Sequence, residues 1–338
     1  METRRGAALE TCLASLENAP PDCPALCFSS GMAATDCAMR LLKPGDHLLI
    51  AQDVYGGTMN LAETILRPLG IRIAYADAVD SVAFARAMTP TTRMVWIESP
   101  SNPLLRITDI AAVVLAARKV GALVVIDSTF ATPYLQSPLD LGVDLVMHST
   151  TKYLGGHSDV LGGALIAGAP EMRARLYAIQ KTTGAVAAPF DCWLTMRGVR
   201  SLAARMRMHQ ENAGALAQYL ADRKGVVAVH YPGLPTHPQH SLAKQQMRGF
   251  GGMVSFEVAD GETAERVLKS TRIFALAPSL GGVESIISYP RLMSHVALCP
   301  EERRARNISD ALIRLSVGIE DIGDLVADIE GALSAAGC

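Results

Sequence analysis

The stretch Met147-His148-Ser149-Thr150-Thr151-Lys152-Tyr153-Leu154-Gly155-Gly156-His157 runs from an apolar segment into hydroxyl residues, a lone lysine and a glycine pair. Such a string presents one amine beside a loop suited to phosphate. Alone it predicts little, because a surface lysine after a strand is common. The preceding apolar run, Ala122-Leu123-Val124-Val125-Ile126-Asp127, sharpens it by ending in an acid. In an open α/β sheet, ligands collect outside the carboxyl ends of the strands. A lysine amine, an acid and a phosphate nest gathered there point to pyridoxal phosphate, whose chemistry needs a Schiff-base lysine and a carboxylate on the pyridine nitrogen.

Other segments offer compatible groups. Ser29-Ser30-Gly31-Met32-Ala33-Ala34 follows an apolar run and opens a helix, so its amides and the positive helix end suit a phosphate; an ordinary N-cap with a glycine turn is the plainer account. Asp53-Val54-Tyr55-Gly56-Gly57-Thr58 sets an aromatic ring beside two glycines, either to stack on a flat cofactor or as a turn tyrosine. Glu98-Ser99-Pro100-Ser101-Asn102-Pro103 holds Asn102 between prolines, for a cofactor oxygen or for turn chemistry alone. Arg314 lies in Arg314-Leu315-Ser316-Val317-Gly318-Ile319-Glu320, where a planar guanidinium could grip a substrate carboxylate or pair with Glu320 or Asp321.

These groups need a scaffold. Between residues 25 and 170, short apolar runs alternate with helical patterns: Ala25 to Phe28, Leu48 to Ala51, Arg72 to Tyr75, Met94 to Glu98, Leu123 to Asp127, Leu145 to His148 and Gly163 to Ala167. The alternation predicts a mainly parallel sheet of seven strands with helices on both faces. Thr108-Asp109 starts a covering helix through Ile110, Val113, Val114 and Ala117. A long helix is predicted from Cys192 to about Arg223, followed by strands at Val226 to Tyr231, Met253 to Val258 and Leu312 to Val317 in a smaller α+β domain. The predicted division is residues 1–197 for the large α/β domain and 198–338 for the small one.

With 338 residues, 49% of them hydrophobic, and a formal charge of -2, the chain can bury substantial cores but has no basic field for nucleic acid. No apolar run reaches the roughly 20 residues of a membrane span and the amino end lacks a signal core, which predicts a cytoplasmic protein without a membrane partner. Seven cysteines without paired CxxC spacing are expected to be reduced. His237 and His240 lie in a Pro/His-rich loop without acid or cysteine partners, so no metal site is expected.

Taken in order, the strings around Gly31, Tyr55, Asn102, Asp127, Lys152, Ser279 and Arg314 closely resemble the Cys/Met metabolism, or trans-sulfuration, family of pyridoxal-phosphate enzymes, from Leu9 to the final helix. The resemblance implies the aspartate-aminotransferase-like fold, fold type I. It implies Lys152 as the Schiff-base lysine and general base, Asp127 on the pyridine nitrogen and Tyr55 stacked on the ring, donating a proton to the leaving group. Gly31, Met32, Ser149 and Thr151 would hold the phosphate, Thr129 would sit under the ring and Asn102 would contact its hydroxyl. Ser279 and Arg314 would receive a small amino-acid substrate, Arg314 by its α-carboxylate. The implied activity is a lyase or transferase of methionine and cysteine metabolism that makes or breaks the Cγ–S bond of homoserine-derived amino acids, of the cystathionine γ-synthase or γ-lyase type, in a homodimer or homotetramer. A cystathionine β-lyase or an O-acyl-homoserine sulfhydrylase is the alternative.

Two departures bear on this. Family members begin with an arm containing Tyr-Ser-Arg before an Asn-Pro-Thr motif, and its tyrosine and arginine reach the neighbouring subunit's cofactor phosphate. Thr3 aligns with the threonine of that motif, so the resemblance implies loss of a charge-assisted contact, and an alternative of another class is a cofactor-binding but catalytically impaired subunit. The second departure is mixed subtype signals. Asn60 stands where cystathionine enzymes usually have arginine, Gly57 where methionine γ-lyases have cysteine, and Pro278 where γ-lyases have glutamate and plant γ-synthases proline.

Overall fold

The computed structural model describes residues 4–293, 296 and 299–338; Thr3 lies outside the described residues. The strands β1 (Leu26–Phe28), β2 (His47–Ala51), β3 (Arg72–Ala76), β4 (Thr92–Glu98), β5 (Leu123–Asp127), β6 (Leu145–His148) and β7 (Gly163–Ala167) form one seven-stranded sheet. Their order is β1-β7-β6-β5-β4-β2-β3. Neighbours from β3 to β6 are parallel, while β7 runs antiparallel to both β1 and β6. Every residue of β1, β2, β6 and β7 is buried, as expected where helices cover both faces. The covering helix Ile110–Val120 buries Ile110, Val113, Val114 and Ala117, is capped by Asp109 accepting from the Ala112 amide, and ends at Gly121, whose φ of 70° suits glycine.

A second sheet contains β8 (Ala228–His230), β9 (Met253–Glu257), β10 (Ala275–Leu276), β11 (Ile286–Ser288) and β12 (Leu312–Ser316), in the order β10-β11-β12-β9-β8. The short β10 and β11 sit amid Ser, Pro and Gly residues, so their sequence carries little strand signal. Two large apolar cores result among the described residues, with a small cluster of Leu104, Ile308 and Leu312 besides. Leu202 and Met206 of the Leu202–Asp222 helix enter the core of the larger sheet, and Ala213, Leu216 and Leu220 enter that of the smaller, so one helix ties the two together.

The single helix expected from Cys192 to Arg223 is two helices, Pro189–Val199 and Leu202–Asp222. The break has a local cause. The Gly198 carbonyl accepts from the Ser201 amide and hydroxyl, both at 3.0 Å, and from Arg205 Nη2 at 2.8 Å, which ends the helical ladder there. Arg205 Nη1 then donates to the Tyr153 carbonyl at 2.8 Å, so the break is fastened to the back of the Lys152 loop.

Candidate active site

The β1 strand delivers Ser30 in extended conformation to the N-cap of the Gly31–Met39 helix, where its hydroxyl accepts from the Ala33 amide. The amides of Gly31 and Met32 belong to the helix's first turn and have no acceptor within it. Glycine at 31 is required by close approach, since a Cβ there would lie 3.0 Å from both Cβ and Oγ of Ser149. The helix end and the loop after β6 therefore face each other. Across the gap, the Ser149 amide donates to Thr129 Oγ1 at 2.9 Å, whereas the Ser149 hydroxyl has no partner among the described residues. The Thr151 hydroxyl is engaged with Gly162, donating to its carbonyl at 3.2 Å and accepting from its amide at 3.0 Å. Free amides, a free hydroxyl and a positive helix end suit a dianion.

At the floor, Asp127 is 6% exposed and accepts from the Thr129 amide at 2.9 Å. Burial pushes its carboxyl up, opposed by hydrogen bonds from Thr129 and the charges of His148 and Lys152. It has no ion-pair partner among the described residues, so it offers an anion to a cationic or protonated group of a ligand. Lys152 is half-buried, and its Nζ donates to Ser279 Oγ at 2.6 Å. Burial, reinforced by Arg314 and opposed by Asp127, lowers its amine to about 8.

Arg314 comes from β12 of the other sheet and is 4% exposed. Its Nη1 donates to Asn102 Oδ1 at 2.7 Å and its Nη2 to the Ser279 carbonyl at 3.0 Å, while Nε has no partner among the described residues. The ion pair with Glu320 or Asp321 does not form. Glu320 accepts instead from the Ser285 amide and hydroxyl, and Asp321 caps the Ile322–Ala335 helix. Ser279 has φ 89°, a left-handed conformation costly for serine that the Arg314 bond helps hold. The Tyr55 ring lies against Gly57, where a Cβ would come within 2.5 Å of Tyr55 Cε1 and 2.9 Å of Met32 Sδ.

All these groups line one cleft of about 540 Å³: Gly31, Met32, Tyr55, Asn102, Asp127, Thr129, Ser149, Thr151, Lys152, Ser279 and Arg314. Glu98, Phe130, Met147, Leu161 and Pro278 line it as well and were not predicted as site residues. For Glu98 a signal existed, an acid ending a predicted strand as Asp127 does; Leu161 and Pro278 arrive only through the packing of loops. His237 and His240 take local partners, the Gln239 amide and the Pro232 carbonyl, and no group of three metal-ligating side chains occurs among the described residues.

The donor set fits pyridoxal phosphate: a phosphate nest at a helix end, an unpaired acid for a ring nitrogen, and an amine with a lowered pKa. Comparison with known proteins agrees. Residues 2–334 match the family model described as Cys/Met metabolism PLP-dependent enzyme. The chain is 50% identical over 329 residues to a cystathionine gamma-synthase of Mycobacterium tuberculosis, covering 97% of this chain and 83% of that protein. It is 47% identical to a cystathionine beta-lyase of Coxiella burnetii, covering 96% of this chain and 84% of that one. The solved structure of cystathionine gamma-lyase from Lactobacillus plantarum complexed with L-serine superposes with a TM-score of 0.96 at 42% identity, over 99% of this chain and 87% of that chain. A cleft whose donors suit that cofactor thus goes with a family match over nearly the whole chain: this chain belongs to the Cys/Met metabolism family of PLP-dependent enzymes, and its cofactor is pyridoxal phosphate.

Proposed function

We propose that the enzyme makes or breaks the Cγ–S bond of homoserine-derived amino acids, as a cystathionine γ-synthase or γ-lyase does, in the cleft around Lys152. The observation that carries the reading is the meeting of a lowered-pKa amine, an unpaired buried carboxylate and a buried guanidinium in one cleft. The 50% identity to a protein named cystathionine gamma-synthase supports the γ subtype. In this reading the amides of Gly31 and Met32 and the hydroxyls of Ser149 and Thr151 hold the phosphate, Thr151 after release from Gly162. Tyr55 would stack on the ring, Thr129 would sit beneath it and Asn102 would contact its hydroxyl. When bound, pyridoxal phosphate supplies an electron sink for the pair left behind when a substrate Cα–H bond breaks.

The protein's groups divide the remaining work. Asp127 holds a proton on the ring nitrogen by offering a buried anion to it. Arg314 takes the substrate α-carboxylate, with its plane fixed by Asn102 and Ser279 and its Nε available. Lys152, whose amine titrates near about 8, is poised to take the Cα proton at neutral pH and, for γ-chemistry, to carry a second proton from Cβ. Ser279 steadies that nitrogen through the 2.6 Å bond. Tyr55 is 46% exposed at the cleft mouth and protonates the departing γ-substituent.

The test is mass-spectrometric product identification after incubation with pyridoxal phosphate, cystathionine, O-acyl-homoserines, sulfide and cysteine. Cystathionine formed from an O-acyl-homoserine and cysteine, or cysteine and 2-oxobutanoate formed from cystathionine, is expected. Homocysteine with pyruvate from cystathionine would replace the reading by β-lyase activity, and homocysteine formed from an O-acyl-homoserine and sulfide, with cysteine giving no cystathionine, by a sulfhydrylase. Cofactor absorbance with no turnover would make this an impaired subunit.

We also propose two domains, residues 1–197 and 198–338, each centred on one sheet and one core. A homodimer or homotetramer is supported by the apolar Leu161, 67% exposed, and by the exposed ring of Tyr55, which line the same cleft; light scattering that finds a stable monomer would remove this proposal. Free thiols at all seven cysteines suit a reducing cytoplasm, and no described helix is long and apolar enough to cross a membrane.

A further inference from the structure

We propose that Glu98 is a positioning residue: it stands as the uncharged member of an acid pair with Asp127, fixes the main chain at Tyr55 and thereby sets the tyrosine ring, leaving Asp127 as the anion of the cleft floor. The inference rests on the reading above that Tyr55 works at the cofactor ring. Glu98 ends β4 in register with Asp127 at the end of β5, and in-register residues of adjacent parallel strands share a face. Both line the cleft, at 5% and 6% exposure. Neither has an ion-pair partner among the described residues.

The bond that Glu98 makes is to the Tyr55 amide, which donates to Oε2 at 2.7 Å. Tyr55 precedes the Gly56–Leu61 helix and provides no side-chain cap itself, so the carboxyl reaches across from β4 to satisfy that amide. Gly57 lies against one edge of the ring, so a shift of the Tyr55 main chain carries the ring away from that place.

Two adjacent buried carboxylates do not both ionise readily. The charged groups facing Glu98 are Asp127 on β5, Asp53 after β2 and Arg314 on β12, and Arg314 is already bonded to Asn102 and Ser279. The Tyr55 amide and Arg314 favour the Glu98 anion, but Asp127 has two hydrogen bonds from Thr129 and the charges of His148 and Lys152 in its favour, so it is the member that ionises more readily. Burial first, and Asp127 next, push the Glu98 carboxyl well above its ordinary value of 4.5, in support of the same assignment.

The experiment compares wild type, E98Q, E98A and Y55F. Glutamine keeps an oxygen acceptor of the same reach and carries no charge. In the folded cofactor-free protein Glu98 keeps a proton that the unfolded chain loses above about 4.5, so wild type loses stability as pH rises past that value. E98Q therefore melts with wild type near pH 4.5 and several degrees above it at pH 8. In the cofactor-loaded enzyme, E98A lowers kcat by about 10- to 100-fold through misplacement of the ring, and E98Q recovers most of that loss. A melting difference independent of pH, or E98Q as impaired as E98A, would overturn the proposal. Should E98A fail to fold, the pH-dependent melting of E98Q still decides it. Wild-type turnover by Y55F would instead remove the role given to Tyr55, and the melting comparison would still judge Glu98.

Discussion

The amine of Lys152 is made reactive by its surroundings, and removing one of them has a predictable effect. Burial is the main cause and Arg314 the second in lowering it from 10.5 to about 8. At pH 7 the neutral fraction is then about one in ten, against about one in 3000 for an ordinary lysine, roughly 300-fold more nucleophile. The rate at which cofactor-free protein captures pyridoxal phosphate, followed by stopped-flow absorbance, should rise about tenfold per pH unit and level off above about pH 8. Arg314→Leu removes the repelling cation but leaves the burial, so its midpoint should move upward and stop short of 10.5. The same lowering acts on stability. Between about 8 and 10.5 the unfolded chain holds a proton that the folded chain has released, so stability rises with pH through that window, and the cost is fully present below it. The span corresponds to at most roughly 3 kcal/mol, so cofactor-free Lys152→Met should be more stable than wild type at pH 7 and lose much of that advantage by pH 10. A wild-type capture midpoint near 10.5, or a downward move in Arg314→Leu, would refute the reasoning.

Four further substitutions test the site and its supports. Asp127→Asn cannot hold a proton on the ring nitrogen, and kcat/KM should fall by about 100-fold or more with the fold intact by circular dichroism. Arg314→Lys loses the planar fork, and KM for the amino acid should rise by about 10- to 100-fold, with a smaller change in kcat in steady-state kinetics. Gly57→Ala sets a Cβ 2.5 Å from the Tyr55 ring, which must turn aside, so kcat should drop by about tenfold while the melting temperature hardly moves. Gly198→Ala sets a Cβ 2.0 Å from the Gly155 carbonyl oxygen, a backbone atom that cannot turn away; a loss of about 2–3 kcal/mol is expected by chemical denaturation, with the Lys152 loop displaced.

What the sequence alone determined is local. Strand cores such as Leu123–Asp127, the Asp109 cap and the placement of Lys152 and Asp127 at strand ends follow from side-chain period and neighbouring residues, and the structure has them where the pattern predicts. The family motifs likewise named the residues that meet in the cleft. Helix continuity past Gly198 was misread because the break depends on Arg205 reaching both Gly198 and Tyr153, contacts absent from any short window of sequence. An ion pair of Arg314 with Glu320 or Asp321 was open in the sequence, and only the folded chain removed it, by bringing Arg314 to Asn102, 212 positions away. The pairing of Glu98 with Asp127 was fixed in the same way, by strand order and register. Periodicity and caps act over a few residues, while the cleft is made by β4, β5 and β12 from two sheets, whose juxtaposition follows from crossovers and core packing that act across the whole chain.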